Sequence, residues 1–156
     1  MVAAVLRVTA TVLAAADVGS RIGEALSAGS VKRLPPEVFA RVQHERIASA
    51  GRTLPARRVA LLAVLFARAL FATRTSRERS LVLAAFATFA GGAYTHARRV
   101  VPRERSTARW DVESLPADWQ DQRDRLLAAR ALGTGGDLVA LILLVTAAEC
   151  GASASS

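Results

Sequence analysis

The side chains with the most chemical potential lie close together in one charged connector. Residues Pro102–Arg125 read PRERSTARWDVESLPADWQDQRDR and hold both tryptophans of the chain, Trp110 and Trp119. Arg109 precedes the first indole, Asp118 the second, and Arg123 and Arg125 follow. Indoles can wall a flat apolar molecule, and guanidiniums can hold a developing oxyanion. The competing use of these arginines is ion pairing with Asp118, Asp121 and Asp124, which alternate with them. Tryptophans also gather at membrane interfaces whatever else they do.

A second group is set apart by cost. Arg7, Arg68 and Asp137 stand inside apolar stretches, where a charge at mid-membrane costs at least ~2.5–3.5 kcal/mol. Such groups face a bundle interior, pair with one another or line a polar cavity, and Asp17, Arg68 and Asp137 are expected to form such a buried site. The alternative is that Arg7 and Arg68 snorkel while Asp137 takes a structural partner.

Other chemistries find little support. The two histidines, His44 and His96, have no second ligand at metal spacing, so no metal is expected. There is no phosphate loop, dinucleotide fingerprint or Ser/His/Asp order, and no cofactor is expected. His96 follows Tyr94 and precedes Arg98 and Arg99, whose positive charges favour a neutral imidazole. The single cysteine, Cys150, has no partner for an internal disulfide. The arginines flank apolar runs rather than forming a stripe with aromatics, so nucleic acid is not an expected partner.

The elements that must position these residues follow from the segregation of charge. Hydrophobic residues make up 52% of the 156, yet 22% are charged and the formal net charge is +8. Four apolar stretches, Val2–Ala16, Val59–Thr73, Leu81–Tyr94 and Leu132–Ala148, alternate with arginine-rich connectors. Each is shorter than the roughly 20 residues that cross a bilayer comfortably, but helices can run past their apolar part with arginines reaching the headgroups. VALLAVLF and LVALILLV are apolar on every face, which implies lipid or complete burial. A soluble bundle would show one apolar and one charged face.

The expected fold is all-α, a four-helix transmembrane bundle with a short interfacial helix between helices 1 and 2. Residues 1–150 form one domain and 151–156 a disordered tail, the protein being integral to the cell membrane with lipid as a partner. A cleavable leader is the rival reading of the N-terminus, weakened by the absence of a positive charge before Arg7. Helix 1 is expected over Val2–Leu26, with a loop over Ser27–Leu34. The short helix opens at Pro35-Pro36-Glu37 and has Val38, Val42 and Ile47 on its apolar side, with Phe39 nearby, placing it at the membrane surface or against the bundle. After a break at Gly51–Pro55, helix 2 runs from Ala56 to about Arg74, and TRTSRERS is a tight basic turn. Gly91-Gly92 in helix 3 permits close helix approach. Helix 4 starts as early as Pro116, with a kink or close packing at Gly133, Gly135 and Gly136. The basic bias places both long connectors on the cytoplasmic side.

With the connector and four apolar helices in view, the chain resembles the anthrone-oxygenase-like family of small integral membrane proteins, largely catalogued as a domain of unknown function. Pro102, Trp110, the spacer Pro116–Asp118–Trp119, Arg123, Arg125 and Thr134 fit the family's order and spacing, and LPPEVFARVQ (Leu34–Gln43) agrees more loosely. The chain departs from it at Glu104 (asparagine in the family), Leu126 (tryptophan), Arg130 (histidine) and Gly133 (arginine). The resemblance implies cofactor-independent oxidation of a lipophilic polycyclic aromatic molecule by dioxygen, and the departures imply a divergent or inactive member.

Such a reaction needs a base, a cationic group for the enolate and a flat apolar pocket. The expected catalytic residues are Arg123, Arg125 and Asp137, and the expected substrate-binding residues Trp110, Trp119 and Arg109. Asp17, Glu104 and His96 are further candidates for the missing base. The rival function is a non-catalytic integral membrane protein assisting a partner complex.

Overall fold

The computed structural model describes residues 2–50, 53–111 and 114–153, which form helices joined by short turns and connectors with no strand among them. The order is α1 (Val2–Lys32), α2 (Pro36–Ala50), α3 (Thr53–Phe71), α4 (Ser76–Thr95), a π-helical segment (His96–Val100), α5 (Val101–Thr107) and α6 (Trp119–Ser153). Gly51 and Arg52 of the expected break, and residues 154–156 of the expected tail, lie outside the described residues.

The helices overrun their expected ends. α1 continues to Lys32 through the expected loop, so Gly29 and Ser30 are helical despite their weak propensity. Its last turn is anchored from outside: the Lys32 carbonyl accepts from Arg123 Nη1 at 3.0 Å, and Lys32 Nζ lies 3.2 Å from Asp124. α6 starts at Trp119 and runs past residue 150 to Ser153, where a disordered tail was expected. α4 starts at Ser76 because Thr75 caps it, its hydroxyl accepting from the Glu78 amide at 3.0 Å.

Four helices close into a ring in which α1 packs on α3 and α6, and α4 packs on the same two. The centre is Ala10 and Ala14 from α1, Leu61 and Leu65 from α3, Val82, Ala85 and Phe89 from α4, and Ala140, Leu144 and Ala147 from α6. Alanines on α1 and α6 bring those backbones close, as small residues do at helix interfaces. Gly92 serves the same end, whereas Gly91, Gly135 and Gly136 face open space, so the close packing expected at the α6 glycines is not found at those two.

The outside is more apolar than the inside requires. Val2, Val5, Val8 and Val12 of α1, Phe66, Leu70 and Phe71 of α3, and Leu138, Val139, Ile142 and Val145 of α6 are exposed. Within the ring, Asp17, Arg58, Arg68, Glu78 and Asp137 are buried. Two helices, Val2–Lys32 and Trp119–Ala152, are long and apolar enough to cross a membrane, and only 22% of the most apolar part of each is buried.

α2 and α5 pack together at the end of the bundle that carries Lys32 and Trp119. The buried face of α2 is Phe39, Ala40 and Gln43; of the expected apolar side, Phe39 is central, Val42 and Ile47 are half-buried, and Val38 is 43% exposed. The spacing of 39, 40 and 43 is equally helical, and the two tryptophans of the connector select Phe39 by packing on it.

Candidate functional site

Buried charge collects at two levels of the bundle. Near the α2 end, Arg58 at the start of α3 reaches between α1 and α6. Its Nη1 donates to Asp17 Oδ2 and, at 3.0 Å, to Asp137 Oδ2, while Nη2 donates to Asp137 Oδ1 and, at 3.3 Å, to the Phe89 carbonyl. The guanidinium carbon sits 5.2 Å from the Phe89 ring centroid, a cation–π contact. Arg21 Nε lies 3.2 Å from Asp137 and 3.7 Å from Asp17. Arg57 Nη2 reaches Asp17 at 3.2 Å and the Ser20 hydroxyl at 2.7 Å. Two carboxylates thus face three arginines. Gly92 leaves the room: a Cβ there would lie 3.1 Å from both Arg58 Nη2 and Asp137 Oδ1.

The second level is about 15 Å away along α1, ten residues at 1.5 Å each. Here one carboxylate serves two arginines. Glu78 Oε1 is 3.4 Å from Arg68 Nη2 and 3.6 Å from Arg7 Nε, and Glu78 Oε2 accepts from the Arg74 amide at 2.9 Å. Arg68, fully buried, has no hydrogen-bond partner for Nε or Nη1, and Arg7 has none for Nη2. A Cβ at Gly151 would lie 2.8 Å from Glu78 Oε2, so this residue of the expected tail is part of the core.

The expected site residues fall in three places. Trp110, Trp119 and Arg123 come together around Phe39: both ring centroids are 6.3 Å from that of Phe39, and the Arg123 guanidinium is 4.9 Å from the Trp119 ring. Arg123 also donates to Asp124 at 3.0 Å; this bond, with one from Lys32, holds the Asp124 carboxyl below the usual carboxylate range. Arg125 lies on the rim of an open groove of about 350 Å³, lined by Pro102, Arg103, Ser106, Asp118 and Gln122, and Arg109 is exposed. Asp137 lies in the Arg58 cluster, roughly 21 Å along α6 from Arg123. Of the expected buried trio, Asp17 and Asp137 share Arg58, whereas Arg68 belongs to the Glu78 level.

Sequence reasoning passed over Arg58, Arg57, Arg21 and Glu78 as site members. Arg57 and Arg58 look like flanking arginines before an apolar run, and no spacing marks Arg58 as buried or Arg57 as reaching a buried carboxylate. Glu78 did carry a signal: Thr75-x-x-Glu78 is a capping-box pattern.

His96 opens the π segment beyond the apolar stretch of α4 and is half-buried. Burial lowers its pKa first, and the positive charges of Arg21, Arg130 and Arg58 lower it further against an opposing pull from Glu104. The neutral imidazole was expected, but its cause was placed on Arg98 and Arg99; the arginines that matter come from α1, α3 and α6. Beside it, Arg130 Nη2 donates to Glu104 at 2.5 Å and to Gln43 at 3.3 Å. Among the described residues, no group of three or more His, Cys, Asp or Glu side chains could hold a metal ion. No family model matches the chain, and no match is found among the curated proteins or the solved structures.

Proposed function

We propose, on the strength of the family resemblance, that this chain is an integral membrane four-helix protein whose chemistry is cofactor-independent oxidation of a lipophilic polycyclic aromatic ketone by dioxygen. The membrane reading is supported by the apolar exterior of α1, α3 and α6 around a charged interior, the reverse of what water selects. Its spans are the four apolar stretches, and His96 lies just outside the third.

The oxygenase reading is carried by the half-buried placement of His96 near Arg21, Arg130 and Arg58, where burial and then those charges lower its pKa and favour the neutral imidazole. That placement supplies two of the needed parts: a base, and cations for the charge that the base creates. His96 takes a benzylic proton, and the resulting enolate is held against the guanidiniums. The enolate passes an electron to dioxygen, the radicals combine to a peroxide anion that takes the proton back from His96, and the hydroperoxide loses water to leave the new carbonyl. One substrate CH₂ and one O₂ become one C=O and one H₂O. Asp137 is less suited to the base role, because Arg58 and Arg21 already engage its oxygens.

The test is purified protein in detergent given an anthrone and oxygen, with quinone formation followed by absorbance. The expected result is a rate above the spontaneous background that falls on the order of 100-fold in His96→Gln, with His44→Gln unaffected. A wild-type rate equal to the background removes this reading.

The second reading is a non-catalytic integral membrane protein that assists a partner complex. It is favoured by the packing of Trp110 and Trp119 on Phe39, where a substrate slot would need them apart. Carbonate-resistant membrane association without quinone formation is its expected signature.

A further inference from the structure

The stretch from Tyr94 to Arg109 carries five arginines against one carboxylate, Glu104, which is turned inward to Arg130. Arg98, Arg99 and Arg105 are exposed and Arg103 is half-buried, and none of the four forms an ion pair among the described residues. Asp118 borders the groove beside Arg103, but both its oxygens accept from Gln122 Nε2, at 2.9 and 3.0 Å. Unlike the arginines of the bundle interior, these present uncompensated charge at the surface, and such a cluster attracts an anionic surface.

We propose that Tyr94, Arg98, Arg99 and Arg103 form a docking surface for the headgroups of anionic phospholipid in the surrounding bilayer. Depth is the first argument. The apolar stretch of α4 ends at Tyr94, which is 62% exposed and of the aromatic kind that collects at membrane boundaries. Arg98 and Arg99 follow four and five residues later, about 6–8 Å farther out along the helix. The headgroup layer is itself roughly 5–8 Å deep on each side. Arg103 lies one turn beyond and reaches back to that level, its Nη1 donating to the Arg99 carbonyl at 2.8 Å.

Donor geometry is the second. Arg98 is held by a cation–π contact, its guanidinium carbon 5.6 Å from the Tyr94 ring centroid, and spends none of its N–H donors on the described residues. Arg103 spends only Nη1, so its Nε–Nη2 edge, a fork that matches two phosphate oxygens, stays open. Two guanidiniums are thus held by the protein with donors to spare, which lowers the cost of ordering them on a phosphate. A net-anionic lipid is favoured over a zwitterionic one, whose ammonium meets the same arginines with repulsion. The proposal rests on the membrane reading but not on the oxygenase chemistry, whose cations are Arg21, Arg58 and Arg130.

Delipidated protein in neutral detergent would be titrated with phosphatidylglycerol and with phosphatidylcholine bearing the same acyl-chain fluorophore, reading fluorescence polarisation. Three arginines at about fivefold each give an expected preference for phosphatidylglycerol on the order of 100-fold at low ionic strength, shrinking as salt is added. Arg98→Gln, Arg99→Gln and Arg103→Gln should each weaken phosphatidylglycerol binding about fivefold and phosphatidylcholine binding far less. Arg74→Gln and Arg77→Gln, at exposed arginines around the start of α4, remove the same charge at the opposite end of the helix and should change neither. Equal affinity for the two lipids, or losses as large in the Arg74 and Arg77 variants, overturns the inference. Carbonate washing separates the two failures: resistance with equal lipid affinities leaves the membrane reading standing, and release by carbonate removes both.

Discussion

The two buried charge clusters are built from the same residue types and differ in how they are balanced. At the Arg58 level, two carboxylates face three arginines, and a single planar guanidinium bridges Asp17 and Asp137 with hydrogen bonds from both terminal nitrogens. At the Glu78 level, one carboxylate faces two arginines through contacts of 3.4 and 3.6 Å, and three nitrogens of its two guanidiniums go unmet, against Arg57 Nε and Arg58 Nε at the other level. Fork geometry matched to carboxylates gives each bond direction as well as attraction. Arginines outnumber carboxylates at both levels, but the excess is larger at the Glu78 level, where one carboxylate is shared through the longer contacts. The Arg58 cluster is therefore a clamp that fixes three helices, and the Glu78 cluster a looser counter-charge closing the far end of the ring.

That contrast breaks most sharply on removal of the central cation. Arg58→Met removes the bridging hydrogen bonds of two buried carboxylates, leaving Asp17 to Arg57 and Arg21 and Asp137 to Arg21 alone, and should destabilise the protein by roughly 3–5 kcal/mol in reversible detergent unfolding, whereas Arg68→Met removes one 3.4 Å contact, leaves Glu78 with Arg7 and should cost clearly less. Equal losses would mean that the two clusters contribute alike. A finer probe is steric. Gly151→Ala drives a methyl to 2.8 Å from the Glu78 carboxylate and should cost about 1–3 kcal/mol, while Gly92→Ala, at 3.1 Å from Arg58 and Asp137, should cost less. The order reverses if the bridged guanidinium is too rigid to yield and the Glu78 side chain swings aside.

The smallest expected effect is on pH. Burial and neighbouring arginines hold the His96 pKa below its usual value, so the folded state prefers the neutral ring. The unfolded chain binds the proton more readily, and stability should rise as pH climbs from the depressed folded value to the ordinary histidine value near 6.5 and level off above it. Unfolding midpoints taken across that range, with His96→Gln flattening the slope, check it. A slope unchanged by the substitution would assign the pH dependence elsewhere.

Much of the helical frame was legible because apolar runs and arginine-rich breaks divide the chain plainly. Helix ends were less so: Gly29 and Ser30 argue for a loop, and only the docking of Arg123 and Asp124 on Lys32 extends α1 across them. For the site, cost marked Asp17, Arg68 and Asp137 as buried, but not their partners. Arg68 and Asp137 look alike along the chain, and the antiparallel path of α3 puts them at opposite levels of the bundle. Arg58 was invisible because a flanking arginine and a bridging arginine have the same sequence signature. Phe39 and Gly151 acquire their roles from residues far away in sequence, the two tryptophans and Glu78.

The π segment between α4 and α5 has a consequence for how this sequence can change in length. The Val101 amide bonds to the His96 carbonyl five residues back, so the helix carries one residue more than an α-turn needs. Each residue turns an α-helix by about 100°, and that surplus sets the angular offset between the face of α4 that carries Phe89 and the face of α5 that presents Glu104 to Arg130. The segment is a phase shifter between two halves of one rod. Single-residue insertions and deletions are tolerated elsewhere by connectors, but here they would rotate one charge system out of alignment with the other, which makes His96–Val100 a stretch whose length matters as much as its side chains.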